Sequence, residues 1–321
     1  MIAEFKLIEK IKKQFLVTQK NVIGIGDDCA VIKTGDKYLL YTIDSMVQDV
    51  HFDFDLPLSW DDVGYKAIVR AISDIAAMGG TPEYVLIALS LRKDFTENMF
   101  NHLLNGIELA VKEYDIRVIG GDISSSKIVS ITISAIGSSK NTPVLRSGAK
   151  IKDDIYVTGY TGLSSMGLYI LKEGIKTKKS KIFIDSYKRP RPRIDVGIKL
   201  INYASAMIDI SDGLIGDLKH ILEESKVGAI IEKHLIPVHD SFFKIAPLMR
   251  ERVYEHILNG GDDYELLFTA PPEYREEIEK LSIELKTKIT RIGSITKKGL
   301  YIKENDKIVP LKSSSYEHFK S

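Results

Sequence analysis

The sequence has almost no sulfur chemistry to offer: a single cysteine, Cys29, stands in 321 residues. A lone thiol closes no internal disulfide, and no zinc-type spacing or Ser-His-Asp arrangement accompanies it. Long apolar runs are missing too, and nothing approaches the ~20 consecutive apolar residues that a membrane helix needs. Neither sign of charge prevails. The 45 Lys and Arg against 44 Asp and Glu leave a formal net charge of +1, so no global field draws the chain to nucleic acid or to an anionic membrane. Met1 to Gln14 alternates charged with apolar residues instead of presenting a signal-peptide core, and the expectation is a cytoplasmic protein. The Walker-type Gly-Lys loop and GxGxxG are absent as well, which disfavours the commonest nucleotide-binding folds. What remains is the composition of a globular enzyme, 44% hydrophobic and 28% charged, on a length that two cores serve better than one.

Periodicity supplies the framework. Phe5, Ile8, Ile11 and Phe15 fall at helical spacing. Val22 to Lys33 reads as extended chain broken by Gly24, Gly26, Asp27 and Asp28, and Tyr38 to Asp44 as a strand. Ser59 caps a helix with a buried stripe of Val63, Ala67, Ile68, Ala71, Ile72 and Ile75, which Gly79, Gly80 and Pro82 stop. A strand over Tyr84 to Leu91, a helix over Thr96 to Tyr114, a strand from Arg117 to Ile119 entering a glycine turn at Gly120 and Gly121, and a strand over Lys127 to Ile136 complete an α+β unit. The polar, glycine-bearing stretch from Ser138 to Lys152 marks a boundary, giving domains 1–148 and 149–321.

The second half opens with the strand Ile155 to Thr158. The Lys-, Arg- and Pro-rich stretch from Glu173 to Arg193 is expected to be a solvated loop. Ala206 to Ile208 is a short strand ending in an acidic turn, followed by a helix over Leu214 to Glu224. Gly260, Gly261, Asp262 and Asp263 precede a strand from Tyr264 to Thr269 and echo the early Gly26, Asp27, Asp28, which suggests a weak internal duplication.

The informative feature is the placing of the aspartates. Asp27, Asp28, Asp44, Asp74, Asp122, Asp209, Asp212, Asp262 and Asp263 stand beside glycines or at element ends, several inside apolar stretches. Carboxylates gathered without matching lysines repel one another and rise in pKa unless a divalent cation supplies the missing charge. Oxygen-only ligands point to magnesium or a relative.

Each motif also has a plainer reading. Asp74 sits in the last turns of its helix, against the negative end of the macrodipole, and Arg70 four residues earlier offers a helical ion pair worth roughly 0.2–0.5 kcal/mol. Gly120, Gly121 and Asp122 either turn the chain or let backbone N–H groups approach a phosphate. His51, between Val50 and Phe52, reads first as a structural histidine. Arg146 is either a surface cation or a fork for phosphate, and Cys29 a small buried residue.

The ordered series Gly24-Ile-Gly-Asp-Asp28, Asp44 followed by His51-Phe52, Ser73-Asp74-Ile-Ala-Ala-Met-Gly79, Gly120-Gly-Asp122, Arg146-Ser-Gly-Ala149, Asp209-Ile-Ser-Asp-Gly-Leu214, Gly260-Gly-Asp-Asp-Tyr-Glu-Leu266 and Tyr316-Glu-His-Phe319 resembles thiamine-monophosphate kinases over nearly the whole chain. The resemblance implies a two-domain α+β fold of the aminoimidazole-ribonucleotide synthetase superfamily, with the N-terminal sheets pairing across a homodimer. It implies magnesium on Asp27, Thr42, Ile43, Asp44, Asp74, Asp122, Asp209 and Asp212, the Ile43 contribution being its backbone carbonyl. ATP would lie on Gly121, Asp122, Arg146 and Ser211, thiamine monophosphate on His51, Asp262 and Tyr316, and the chemistry would rest chiefly on Asp44, Asp122, Arg146 and Asp209. The family's usual Ser-Thr-Asp is here Thr42-Ile43-Asp44, its Gly-Gly-Glu-Asp has Asp262 in place of glutamate, and Leu104 replaces an aromatic or polar residue often seen near the adenine.

The activity so implied is ATP-dependent phosphorylation of thiamine monophosphate by direct, magnesium-assisted in-line transfer, with no partner of nucleic acid or membrane. Two rivals are another ATP-dependent enzyme of the superfamily and a non-catalytic magnesium-nucleotide sensor. The chain lacks a cysteine in an N-terminal Gly-Lys loop and ends in Phe319-Lys-Ser321 rather than a reactive cysteine, which argues against two of the superfamily's activities, selenophosphate synthesis and hydrogenase maturation.

Overall fold

Ser59 accepts a hydrogen bond from the backbone N–H of Asp62 while the Asp62 side chain accepts from the N–H of Ser59, and this capping box starts α2 (Trp60–Ala77). The stripe expected of α2 is buried, and its C-terminal end gives way at Gly79, whose φ of 73° suits a residue without Cβ. In the computed structural model, which describes residues 4–245 and 253–311, α2 is the spine of the first of two α+β domains. Beside it runs α3 (Glu97–Glu113), close enough that a Cβ at Gly106 would stand 2.0 Å from the carbonyl oxygen of Asp61 and one at Gly64 2.3 Å from that of Leu103.

Both helices pack on a six-stranded sheet built from β1 (Val22–Ile23), β2 (Ala30–Thr34), β3 (Lys37–Val47), β4 (Thr81–Arg92), β5 (Arg117–Ser126) and β6 (Ser130–Ser139), in the order β1-β2-β3-β6-β4-β5. Leu40, Met46, Val85, Ile131 and Ile133 meet Ile68, Ile72 and Ile75 in its core. The helix α1 (Glu4–Gln14) lies outside and ties Lys12 to Glu224.

The expected turn at Gly120 and Gly121 is not one. The two glycines sit within β5, where the register against β4 skips Ile119, so Ile119 and Gly120 form an irregularity in a continuous edge strand and Gly121 pairs regularly with Ile87. Glycine serves a turn and a bulge equally, which is why the sequence does not separate them.

The second domain holds β7 (Asp154–Thr158), β8 (Ala206–Asp209), β9 (Gly228–Glu232), β10 (Leu266–Ala270), β11 (Ile289–Thr296), β12 (Leu300–Glu304) and β13 (Lys307–Pro310), ordered β13-β12-β9-β11-β7-β10-β8. Its helices include α4 (Leu163–Lys172), α5 (Lys181–Lys188), α6 (Ile194–Leu200) and α7 (Leu214–Ser225). The expected loop from Glu173 to Arg193 contains α5, because Phe183 and Tyr187, four residues apart, are both buried. Their lysine neighbours are exposed and hid this stripe.

The seam between the domains is close-packed. A Cβ at Gly197 on α6 would meet the carbonyl oxygen of Ala76 at 2.1 Å, and Ala77 joins Val196, Leu200, Met207 and Phe268 in a core cluster. The C-terminal turns of α2 are thereby held against the end of β8. Among the described residues no helix is long and apolar enough to cross a membrane.

Candidate active site

Three carboxylates meet at that seam. Asp28 follows β1, Asp74 lies in the last turn of α2, Asp209 ends β8, and an oxygen from each lies within 4.8 Å of the others. Burial pushes Asp209 up to about 7, with the charge of Asp28 adding to it, and Ser73 donates to its Oδ2 at 2.6 Å. Asp74 is driven well above the carboxylate range by burial and by Asp44, Asp209 and Asp28. The hydroxyl of Thr42 on β3 donates to its Oδ2. Asp28 is raised by burial, opposed by Arg146, whose Nη2 lies 2.5 Å from its Oδ1. The other oxygen of Asp28, Oδ2, is buried with no hydrogen-bond partner among the described residues.

An orphaned carboxylate oxygen, a donor set of oxygens alone and mutual repulsion among buried acids fit a hard divalent cation such as Mg2+. The residues that would hold it are Asp28, Asp74 and Asp209, with Asp44 beside them. Asp44 is held from the other side by Arg70, whose Nε donates to Oδ1 at 3.0 Å. The helical pair expected between Arg70 and Asp74 is therefore not formed: Arg70 reaches across to β3, and Thr42 answers Asp74.

Of the other sequence candidates, Asp27 accepts the backbone N–H of Arg146 at 3.1 Å. Burial and Asp28 push it up to about 7. Asp28, not named among the expected ligands, joins Asp74 and Asp209 in the cluster. Asp122 is not brought there within one chain. It pairs in register with Ala88, Ala88 with Thr132 and Thr132 with Ser45, so these four share a face, whereas Asp44 lies in the adjacent row with Ile133. Asp44 and Asp122 consequently stand on opposite faces of the sheet. Ile43 shares the face of Asp122 and is 69% exposed. Gly121 lies on β5 beside Ile87.

A second acidic group surrounds the β8–α7 turn. Asp217, in the first turn of α7, accepts the N–H groups of Ser211 and Asp212 at 3.1 Å each, and Asp212, Asp217 and His220 form a compact set. Asp217 is raised by burial and by Asp212. Sequence reading passed over it because it sits inside the helix; an acid in a first turn beneath an acidic loop was the available signal.

Next to these groups opens a cavity of about 340 Å³ lined by His51, Arg70, Ser164, Ser211, Asp212 and Asp262, among others. Val47 donates its N–H to Nδ1 of His51 at 3.1 Å, which leaves the ring proton on Nε2 when the ring is neutral. Asp262 has φ 64° and accepts from Lys66 and from Tyr264 at 2.8 Å each. Burial works against its charge, but Lys66 and Arg70 outweigh it and hold Asp262 down to about 2. Tyr316 lies outside the described residues. A wider cleft of about 1170 Å³, lined by Lys178, Lys179, Arg191 and Lys244 among others, includes none of the three clustered carboxylates.

Residues 26–139 match the N-terminal domain of the AIR synthase related protein family, and residues 151–303 its C-terminal domain. The thiamine-monophosphate kinase of Haemophilus influenzae is 37% identical over 99% of this chain and 98% of its own length. That of Bacillus subtilis is 36% identical over 99% of both. The chain belongs to the thiamine-monophosphate kinase family. Among solved structures, AaThiL complexed with AMPPCP and TMP superposes with a TM-score of 0.88 at 31% identity, covering 99% of this chain and 97% of that one. HypE of Escherichia coli, a hydrogenase maturation protein, reaches a TM-score of 0.71 at 17% identity over 85% of each chain, so the fold extends beyond the kinase family while the sequence similarity separates the two.

Proposed function

We propose that this protein phosphorylates thiamine monophosphate with ATP, giving thiamine diphosphate and ADP. The observation that carries the reading is the cluster of Asp28, Asp74 and Asp209 beside a cavity lined by His51 and Asp262. It is supported by the likeness to a kinase holding an ATP analogue and TMP.

Magnesium held by Asp28, Asp44, Asp74, Asp209 and, through the β8–α7 turn, Asp212 would supply charge neutralisation for the phosphates. The chain's own part is positional. The acceptor is a phosphate monoester with a second pKa near ~6, a dianion at neutral pH that needs no base, so the aspartates carry no proton in the reaction. Transfer is direct and in line, without a phosphoenzyme. Thr42 holds Asp74, Ser73 holds Asp209 and Arg70 holds Asp44, which fixes the cluster before substrate arrives. Arg146 exchanges Asp28 for ATP, and Ser211 contributes at the turn. His51 and Asp262 shape the acceptor cavity, Asp262 through Lys66 and Tyr264.

Asp122 and Gly121 act in a homodimer. The sheet face bearing Asp122 also carries the exposed Ile43 and Leu86, and β5 is an uncovered edge strand, a surface suited to pairing with a second copy. In this reading the domains are 1–148 and 149–321, and the enzyme works in the cytoplasm.

Incubation with Mg2+, ATP and thiamine monophosphate tests the proposal: thiamine diphosphate and ADP should appear in equal amounts. ADP without the diphosphate overturns it.

A further inference from the structure

Arg70 lies one helical turn from Lys66 and one from Asp74, on the face of α2 that looks into the acceptor cavity. Lys66 is spent: it is buried, its Nζ is 2.8 Å from Asp262 and it stacks over the ring of Tyr187 at 4.0 Å. Arg70 is not. Its Nε is given to Asp44, but Nη1 stands 4.0 Å from Asp262, beyond hydrogen-bond reach, and its side chain keeps 20% exposure. A guanidinium has five N–H donors.

The other charged residues of the cavity are mostly acidic. Asp49, Asp53, Asp212 and Asp262 line it, against Arg70 and Lys172. Such walls suit the cationic ring of the acceptor and repel its phosphate. An acceptor phosphate must nevertheless sit at the end nearest the carboxylate cluster, and that end is where Arg70 is bonded to Asp44. Resting on the functional reading above, we propose that Arg70 is the residue that binds the acceptor's phosphate, using the Nη edge that no acceptor among the described residues takes up between Asp44 and Asp262. The planar fork matches a phosphate with two parallel hydrogen bonds. Arg70 thereby selects the phosphorylated vitamin over free thiamine, and it orients the phosphate toward the cluster while Nε keeps Asp44 in place.

Calorimetric titration of the magnesium-loaded full chain with thiamine monophosphate and with thiamine tests this. Arg70→Gln should weaken binding of the monophosphate by about 10-fold or more, the loss of roughly one charge-assisted contact, and leave thiamine binding unchanged. Arg70→Lys should fall between, keeping the charge and losing the fork. In steady state KM for thiamine monophosphate should rise several-fold more than that for ATP. Equal weakening of both ligands would reduce Arg70 to a support for Asp44 and overturn the inference, as would an unaltered affinity for the monophosphate. A wild-type protein that makes no thiamine diphosphate overturns the functional reading instead, which the same preparations reveal before any variant is compared.

Discussion

Ser73 donates its hydroxyl hydrogen to Asp209 at 2.6 Å, a bond from α2 of the first domain to the last residue of β8 in the second. Ser73 is the neighbour of Asp74, so one helical turn both contributes a cluster carboxylate and anchors another. Asp209→Asn keeps an oxygen for Ser73 and removes a negative charge. Turnover should fall by ~10²–10³-fold, the scale for loss of one charge-stabilising group, with Tm close to wild type. Near-normal kcat by coupled ADP assay would remove Asp209 from the chemistry.

The neighbours Asp27 and Asp28 should behave differently. Asp28 has a buried oxygen with no hydrogen-bond partner among the described residues, and Asp27 accepts backbone N–H groups. Asp28→Asn is expected to cost at least about tenfold more in kcat than Asp27→Asn, a difference of about 1.4 kcal/mol or more. The reverse order in parallel assays would return Asp27 to the ligand set.

The raised carboxyls give a pH dependence with a definite sign. Asp209 and Asp27 stand at about 7 in the fold against 3.8 for the unperturbed side chain, so the metal-free folded chain binds more protons than the unfolded one. Their contribution to stability is full below the unfolded value and is lost as pH rises through about 7. Magnesium bound at the cluster would displace the proton on Asp209. From about pH 5 to about pH 8, metal-free Tm should therefore fall and the increment in Tm from added Mg2+ should grow. An increment constant over that range, read by scanning calorimetry, would contradict the cluster's protonation.

Gly106→Ala probes the helix pair on which the site is built. The new methyl would stand 2.0 Å from the Asp61 carbonyl oxygen, so α2 and α3 must separate. A loss of about 1–3 kcal/mol is expected in urea denaturation. Unchanged stability would mean that the contact is slack.

How far the sequence speaks depends on whether local signals agree. α2 was legible because cap, stripe and stop all point to one helix. α5 was not, since lysines and prolines around Phe183 and Tyr187 imitate a loop. At the site, the turns bearing Asp28, Asp209 and Asp262 could be found from their glycines and neighbouring strands. Which of two adjacent aspartates turns inward could not, because that depends on how a loop closes over Arg146. Nor could the opposite faces of Asp44 and Asp122, which follow from strand order across β6 and β4. Arg70 shows the general difficulty: sequence spacing favours Asp74, and the partner it takes is Asp44, twenty-six positions away on another element.

The seam that unites Asp28 and Asp74 with Asp209 sets like charges from both halves of the molecule against one another. A cation lodged there would act as a rivet, and its withdrawal would leave the halves pressed apart at that point while Gly197 and Ala76 still touch behind it. The fit of the two halves is in this sense conditional on what they carry: a chelator should loosen the seam at Asp209 more than at Gly197.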